Sequence, residues 1–303
     1  MKSFPPLVYF GSDDFSAGVL EHLLKHGDFK SSLKYVVTKT PRNFGRGQHL
    51  RPTAVETIAK TLSNVTVIHA STRKELDEAL SDSGLAELQP MGVLVSYGVI
   101  ISDYVLDLFP RGIINFHPSH LPLYRGPSPV ETALLRGDRT IGLSIMKLVR
   151  DMDAGPVFMQ AAIELDGSET RAQTYERIID EGTPIFYSTL RKIADGLLPP
   201  VEQEHHKATY TRIFTKADGE FDPEHKTAEM LEREVRVFLG FPKSRFELLG
   251  HPVIVTKTHV VAHENAATIV VHCADNTYLS IDELIAPSGK MMDAEAFKRG
   301  YAA

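Results

Sequence analysis

Three polar residues of different kinds, two of them close neighbours and the third far along the chain, carry the chemistry that this sequence offers. Asn115 and His117 stand two apart in the run Ile113-Ile114-Asn115-Phe116-His117. An apolar run of this kind reads as a buried strand, and side chains two apart on a strand leave the same face. The pattern therefore sets an amide donor beside an imidazole, the side chain that titrates closest to neutral pH. The third residue lies in the turn Arg150-Asp151-Met152-Asp153-Ala154-Gly155, which joins two longer strand-like runs and offers a carboxylate. Taken singly, a strand-end histidine or an aspartate in a glycine-containing turn is most simply structural. Together they make a set able to hold a polar ligand and move a proton. Between them Leu121-Pro122-Leu123-Tyr124-Arg125-Gly126-Pro127-Ser128-Pro129 is too proline-rich for regular structure, and reads as a rigid loop before a helix beginning near Pro129.

The elements that must position this set follow from periodicity. Apolar runs at Leu7–Phe10, Tyr35–Thr38, Val65–Ile68, Val93–Ser96 and Ile113–Asn115 read as buried strands. Helical patterns alternate with them: 17–26, with Val19, Leu20, Leu23 and Leu24 on one face; a helix opening at Pro52; and 72–80, with Thr72 and Glu75 as a capping box. Strands alternating with helices predict βαβ units, hence an α/β, Rossmann-like, open and mostly parallel sheet. In such sheets ligands bind beyond the carboxyl ends of the strands, which is where Asn115 and His117 fall. Two longer strands (142–148 and 156–165) and a helix over 169–194 follow. The stretch 196–208, with Pro199-Pro200 and a polar run, reads as a linker. Beyond it, the short helix 228–239 and the β-rich runs 253–258, 267–273 and 278–284 predict a second, smaller β-barrel domain of OB-like type. The expected division is a catalytic domain over 1–200 and a barrel over 201–303.

Composition narrows the class. The 303 residues are 43% hydrophobic and 24% charged, an ordinary globular mix. A formal charge of −6 excludes a globally basic nucleic-acid coat but not a local basic patch. The single cysteine, Cys273, forms neither an internal disulfide nor a thiolate zinc cage, and its apolar surroundings predict a core position. No apolar run reaches membrane-spanning length, and only six residues precede the first strand, so neither a membrane segment nor a targeting peptide is expected. A reduced, cytoplasmic setting fits.

The residues also carry a family resemblance. Asn115-Phe116-His117-Pro118-Ser119-His120-Leu121-Pro122-Leu123-Tyr124-Arg125-Gly126 resembles the signature of the 10-formyltetrahydrofolate-dependent formyltransferases, and Asp151-Met152-Asp153-Ala154-Gly155 resembles that family's second element. Phe10-Gly11-Ser12-Asp13-Asp14-Phe15, the Gly45-Arg46-Gly47 loop followed by Arg51-Pro52-Thr53-Ala54-Val55, and Ala208-Thr209-Tyr210 are similar to features of the branch that formylates initiator methionyl-tRNA. The resemblance covers nearly the whole chain. It implies transfer of a formyl group from 10-formyltetrahydrofolate to the α-amine of methionine on that tRNA. Asn115 and His117 would stabilise the oxyanion, and His117 would move the proton. Asp153, rather than Asp151, would hold or charge the imidazole. By the same resemblance Ser119, His120, Leu121 and Pro122 line the folate pocket, with backbone near Tyr97 and Gly98, and no metal takes part. His120 stands where the family usually carries leucine. Arg42, Arg46 and Arg51 fall in a basic loop expected to grip tRNA. No protein partner is implied.

Other features compete. His205-His206, preceded by Glu202 and Glu204, reads as a solvated stretch rather than a metal site. The segment 208–303 carries 11 Lys and Arg against 14 Asp and Glu, an acidic balance for a tRNA-binding module unless Arg236, Lys243, Arg245 and Lys257 form one stripe. That balance keeps a sugar-nucleotide N-formyltransferase as the alternative within enzymes. A non-catalytic folate binder has no use for the proton-moving set, and a folate hydrolase has none for the second domain.

Overall fold

The computed structural model describes residues 3–44, 49–264 and 268–301. They divide into two compact units. The first is built from residues within 1–129, 140–164 and 175–211. Its strands are β1 (Leu7–Phe10), β2 (Leu33–Thr38), β3 (Arg42–Phe44), β4 (His49–Arg51), β5 (Thr66–His69), β6 (Met91–Leu94), β7 (Ile113–His117), β8 (Thr140–Lys147) and β9 (Val157–Glu164). Seven of them form one sheet in the order β5-β2-β1-β6-β7-β8-β9. The pairings from β5 to β7 are parallel, and β7–β8 and β8–β9 are antiparallel. This is the open, mostly parallel sheet that the alternation of runs predicts.

Local chemistry explains the ends. β1 is buried at all four positions, and the chain turns at Gly11 because the side chains of Ser16 and Tyr9 occupy the space where a Cβ would stand. Asp13 then caps the helix Asp14–Leu24, accepting a hydrogen bond from the Ser16 amide (2.9 Å). Thr72 caps the helix Arg73–Ser81 through the Glu75 amide, while the Glu75 carboxylate accepts from Ser71 N–H, one residue earlier than a capping box requires. Ser102 caps Asp103–Asp107 and also donates to Asp77.

β7 is buried throughout, with Ile114 and Phe116 on the face opposite Asn115 and His117. The Phe116 ring stacks on Phe186 with centroids 4.8 Å apart, a contact of about 0.5–1.5 kcal/mol beyond its area. Phe186 belongs to the expected long helix, which is continuous but changes pitch. Helical turns at Arg171–Arg177 and Thr183–Ala194 are joined by a π-helical turn over Ile178–Gly182. At Gly182 a Cβ would press on Phe116 and Leu143, so the glycine lets the helix lie close to the sheet.

The second unit comprises residues within 130–139, 165–174 and 212–303. Its sheet is antiparallel: β10 (Ser244–Leu248), β11 (His251–Val261), β13 (Thr277–Ile285) and β12 (Ile269–Cys273) in that order, with β14 (Met291–Asp293) also on β13. The helix Ala228–Phe238 and a final helix, Ala294–Tyr301, close a core that contains Leu231, Val235, Val255, Leu279, Ile281, Leu284 and Phe297. Cys273 is buried in this core, as its apolar run predicts.

The stretch read as a linker differs from expectation. Val201 exchanges backbone hydrogen bonds with Val157 of β9, and Thr209 and Thr211 bond the loop after β7. Its polar residues find partners within the first unit rather than water alone, so residues 201–211 form a strap across that unit.

β8 supports the loop after β7 through a missing side chain. A Cβ at Gly142 would overlap the His120 backbone nitrogen and lie 2.6 Å from its Cα. Gly142→Ala is expected to destabilise the protein by roughly 1–3 kcal/mol through this overlap. A urea melt would read this as a lower midpoint, and an unchanged midpoint would show that the loop does not rest there.

Candidate active site

The carboxyl end of β7 brings Asn115 and His117 into one crevice, both about 5% exposed. The His117 ring is oriented by one bond: Nε2 lies 3.2 Å from the Tyr124 carbonyl. A carbonyl can only accept, so Nε2 carries a proton and Nδ1 points the other way. There, Asp153 Oδ1 lies 3.8 Å from Nδ1. The separation is longer than a direct hydrogen bond and leaves the nitrogen open to a reacting group beside the carboxylate. Among the described residues the Asn115 amide makes no hydrogen bond, although the residue is nearly buried. An amide set beside the imidazole at this strand end is suited to a ligand oxygen.

Asp153 reaches the crevice from a strained turn. Its φ is +48°, the left-handed region, and its other carboxylate oxygen accepts from the Gly126 amide at 2.7 Å. Gly155 closes the turn so near β8 that a Cβ would overlap the Lys147 carbonyl oxygen. Asp153 faces the imidazole, and Asp151 is exposed.

The segment expected to line a folate pocket is stapled from behind. Ser144 Oγ donates to the Ser119 carbonyl (2.7 Å) and accepts from Leu121 N–H (3.0 Å); Gln160 Nε2 donates to the Leu121 carbonyl (2.7 Å). Ser119 Oγ donates to the Leu123 carbonyl (2.6 Å), and the Leu121–Pro122 bond is cis. His120 is exposed, while Leu121 is buried. Tyr97 presents backbone only, because its ring packs on Phe10 and its hydroxyl donates to the Ala70 carbonyl. Gly98, at φ +70°, leaves the space that Lys39 Nζ occupies. Asp13, which also accepts from Ser96 Oγ, lies at the same sheet edge. Burial pushes the Asp13 carboxyl up despite those donors, and burial, then Arg42, pushes the Lys39 ammonium down.

Of the basic loop, Arg42 and Arg51 face each other in register across the β3–β4 hairpin and are exposed; Arg46 lies outside the described residues. The four cations of the expected stripe are largely committed. Arg236 is held by Glu232, Lys257 lies 3.6 Å from Glu283, and Arg245 donates to the Pro242 and Lys216 carbonyls. Among the described residues no group of three His, Cys, Asp or Glu is placed to hold a metal ion, and no helix is long and apolar enough to cross a membrane.

Comparison with known proteins places the chain in a family. Residues 7–190 match the formyl transferase family and residues 213–302 its C-terminal domain. A methionyl-tRNA formyltransferase of Nitratidesulfovibrio vulgaris is 34% identical over 97% of this chain and 92% of its own length. The chain belongs to the methionyl-tRNA formyltransferase family. The fold is shared more widely. An N-formyltransferase from Helicobacter canadensis, solved with folinic acid and dTDP-3-aminofucose, superposes with a TM-score of 0.67 at 16% identity, covering 91% of this chain and 98% of that one. A methionyl-tRNA formyltransferase from Clostridium thermocellum gives 0.56 at 16% identity over 85% and 94%.

Reasoning from sequence missed Ser144, Gln160 and Gln203, which hold the transferase's loops by hydrogen bonds to residues 23, 39 and about 50 positions away. Polar residues inside apolar strand runs were the available signal for the first two. For the formyl transferase, His117→Ala is expected to lower kcat by roughly 10²–10⁴ and Asn115→Ala by roughly 10²–10³. Folate affinity, followed by fluorescence, should stay largely intact. Wild-type turnover in either variant would remove that residue from the site.

Proposed function

We propose that this enzyme transfers the formyl group of 10-formyltetrahydrofolate to the α-amine of methionine on initiator methionyl-tRNA, in a cytoplasmic setting, and so supports translation initiation. The observation that carries the reading is the pairing of the Asn115 amide with an imidazole whose open Nδ1 adjoins a carboxylate. The names of the relatives that share its full length supply the acceptor.

10-Formyltetrahydrofolate supplies, when bound, a one-carbon unit at the oxidation level of formate. The protein's share is electrostatics and proton movement. Attack by a neutral amine places negative charge on the formyl oxygen and positive charge on the attacking nitrogen. The Asn115 N–H donates to that oxygen. His117 Nδ1 takes a proton from the attacking nitrogen and can pass it towards the departing N10. Asp153 stabilises the imidazolium that forms between these two steps. The buried crevice limits competing water. The peptide segment 119–122, held by Ser144 and Gln160, is the proposed folate wall, with backbone near Tyr97 and Gly98.

Arg42, Arg46 and Arg51 are proposed to meet tRNA phosphates, with Arg42 and Arg51 exposed and in register across β3 and β4. The acidic balance of residues 208–303 favours the other reading, an amino-sugar nucleotide as acceptor. Incubation with formyl-folate and either charged initiator tRNA or an amino-sugar nucleotide separates the two. Formyl-methionyl-tRNA is the expected product, and formylation of the sugar alone would overturn the assignment. Arg42→Ala and Arg51→Ala together should raise KM for tRNA and flatten its salt dependence while leaving KM for the folate unchanged.

A further inference from the structure

Asp153 holds a left-handed conformation that costs an ordinary residue on the order of 1 kcal/mol or more, so its surroundings must fix it. The donor that does so comes from the strap. Gln203 Nε2 lies 2.8 Å from the Asp153 carbonyl and 2.7 Å from the Gly155 carbonyl, so one amide group spans the turn. The other end of the same side chain is gripped as well. Gln203 Oε1 accepts from Arg125 Nη2 at 2.7 Å and from Arg125 Nε at 3.2 Å. Both residues are buried, Arg125 at 3% exposure and Gln203 at 8%.

These contacts close a ring. Arg125 adjoins Gly126, whose N–H donates to the Asp153 carboxylate. Asp153 is therefore held at its carboxylate by residue 126 and at its carbonyl by Gln203, and the two holds are joined through Arg125. The strap cannot slide out of this register, because Thr209 bonds residues 122, 124 and 125 and Thr211 bonds 125 and 128. Only a primary amide supplies two donors to the turn and an acceptor to the guanidinium at once. A glutamate would keep the acceptor and lose the donors.

We propose that Gln203, held by Arg125, is a positioning residue that fixes the Asp153 carboxylate against His117 Nδ1. The proposal rests on the assignment of Asp153 to the proton-moving set of the formyl transfer. Released from Gln203, the 153–155 turn can relax out of its left-handed conformation and carry the carboxylate away from the imidazole. A displacement of about 1 Å at such a site can cost on the order of 10²-fold in rate.

The test is a double-mutant cycle on the full chain with 10-formyltetrahydrofolate and methionyl-tRNA. Gln203→Ala and Gln203→Glu should each lower kcat by about 10- to 100-fold, with both KM values within about two-fold of wild type. Gln203→Glu leaves Arg125 paired, so its fold, checked by its urea midpoint, is retained even where Gln203→Ala unfolds. Asp153→Asn combined with Gln203→Glu should be no slower than Asp153→Asn alone, because a carboxylate that is gone needs no positioning. Losses that multiply, or a wild-type kcat in Gln203→Glu beside a slow Asp153→Asn, would overturn the clamp and leave the catalytic assignment standing. Wild-type turnover in Asp153→Asn would overturn both.

Discussion

The site depends on one hydrogen bond, from His117 Nε2 to the Tyr124 carbonyl. A carbonyl has no proton to give, so this bond settles which nitrogen of the ring is occupied and which is open. It also ties the ring to a loop whose own shape is costly, because Tyr124 stands at φ +58°. Were the loop to shift, the imidazole would lose its orientation and Nδ1 its alignment with Asp153. The supporting contacts serve this one constraint. Ser144 and Gln160 hold the loop from β8 and β9, Gly142 lets it lie flat, and Thr209 grips it from the strap.

β7 makes that constraint transferable to the core. Its alternate residues divide the labour, Asn115 and His117 facing the crevice while Phe116 stacks against Phe186 on the other side. The strand lies where parallel pairing with β6 gives way to antiparallel pairing with β8. The loop that follows it can therefore fold back against β8 instead of continuing into another crossover helix. Asp153 arrives from the β8–β9 turn on the same side. Three polar groups separated by up to 38 positions thus meet because one strand end, one loop and one hairpin turn share a sheet edge.

Much of this is legible in the residues themselves. The runs at β1 and β6 are apolar throughout and those at β2 and β7 largely so, and their strand assignments need no tertiary information. That Asn115 and His117 share one strand face follows from spacing alone. Asp153 needed the family pattern to be chosen over Asp151, and its glycine neighbour is explained only by the Lys147 carbonyl that presses on it. The strap was illegible for a physical reason. Gln203 lies among prolines, glutamates and histidines, a composition typical of solvated linkers, and its partners Arg125, Asp153 and Gly155 stand about 50 to 80 positions away. A polar side chain in such a stretch shows nothing of its burial until the chain is folded. The strands β3 and β4 were hidden because each is only three residues long, too short for a periodic pattern to stand out.

The orientation of the imidazole is open to direct observation by ¹⁵N NMR of the ring of His117 in the intact protein, assigned by comparison with His117→Ala. With the histidine neutral, the Tyr124 contact requires the proton on Nε2 and a bare Nδ1 beside Asp153. A ring found protonated on Nδ1 would close the nitrogen meant to receive the proton and contradict this account of the site.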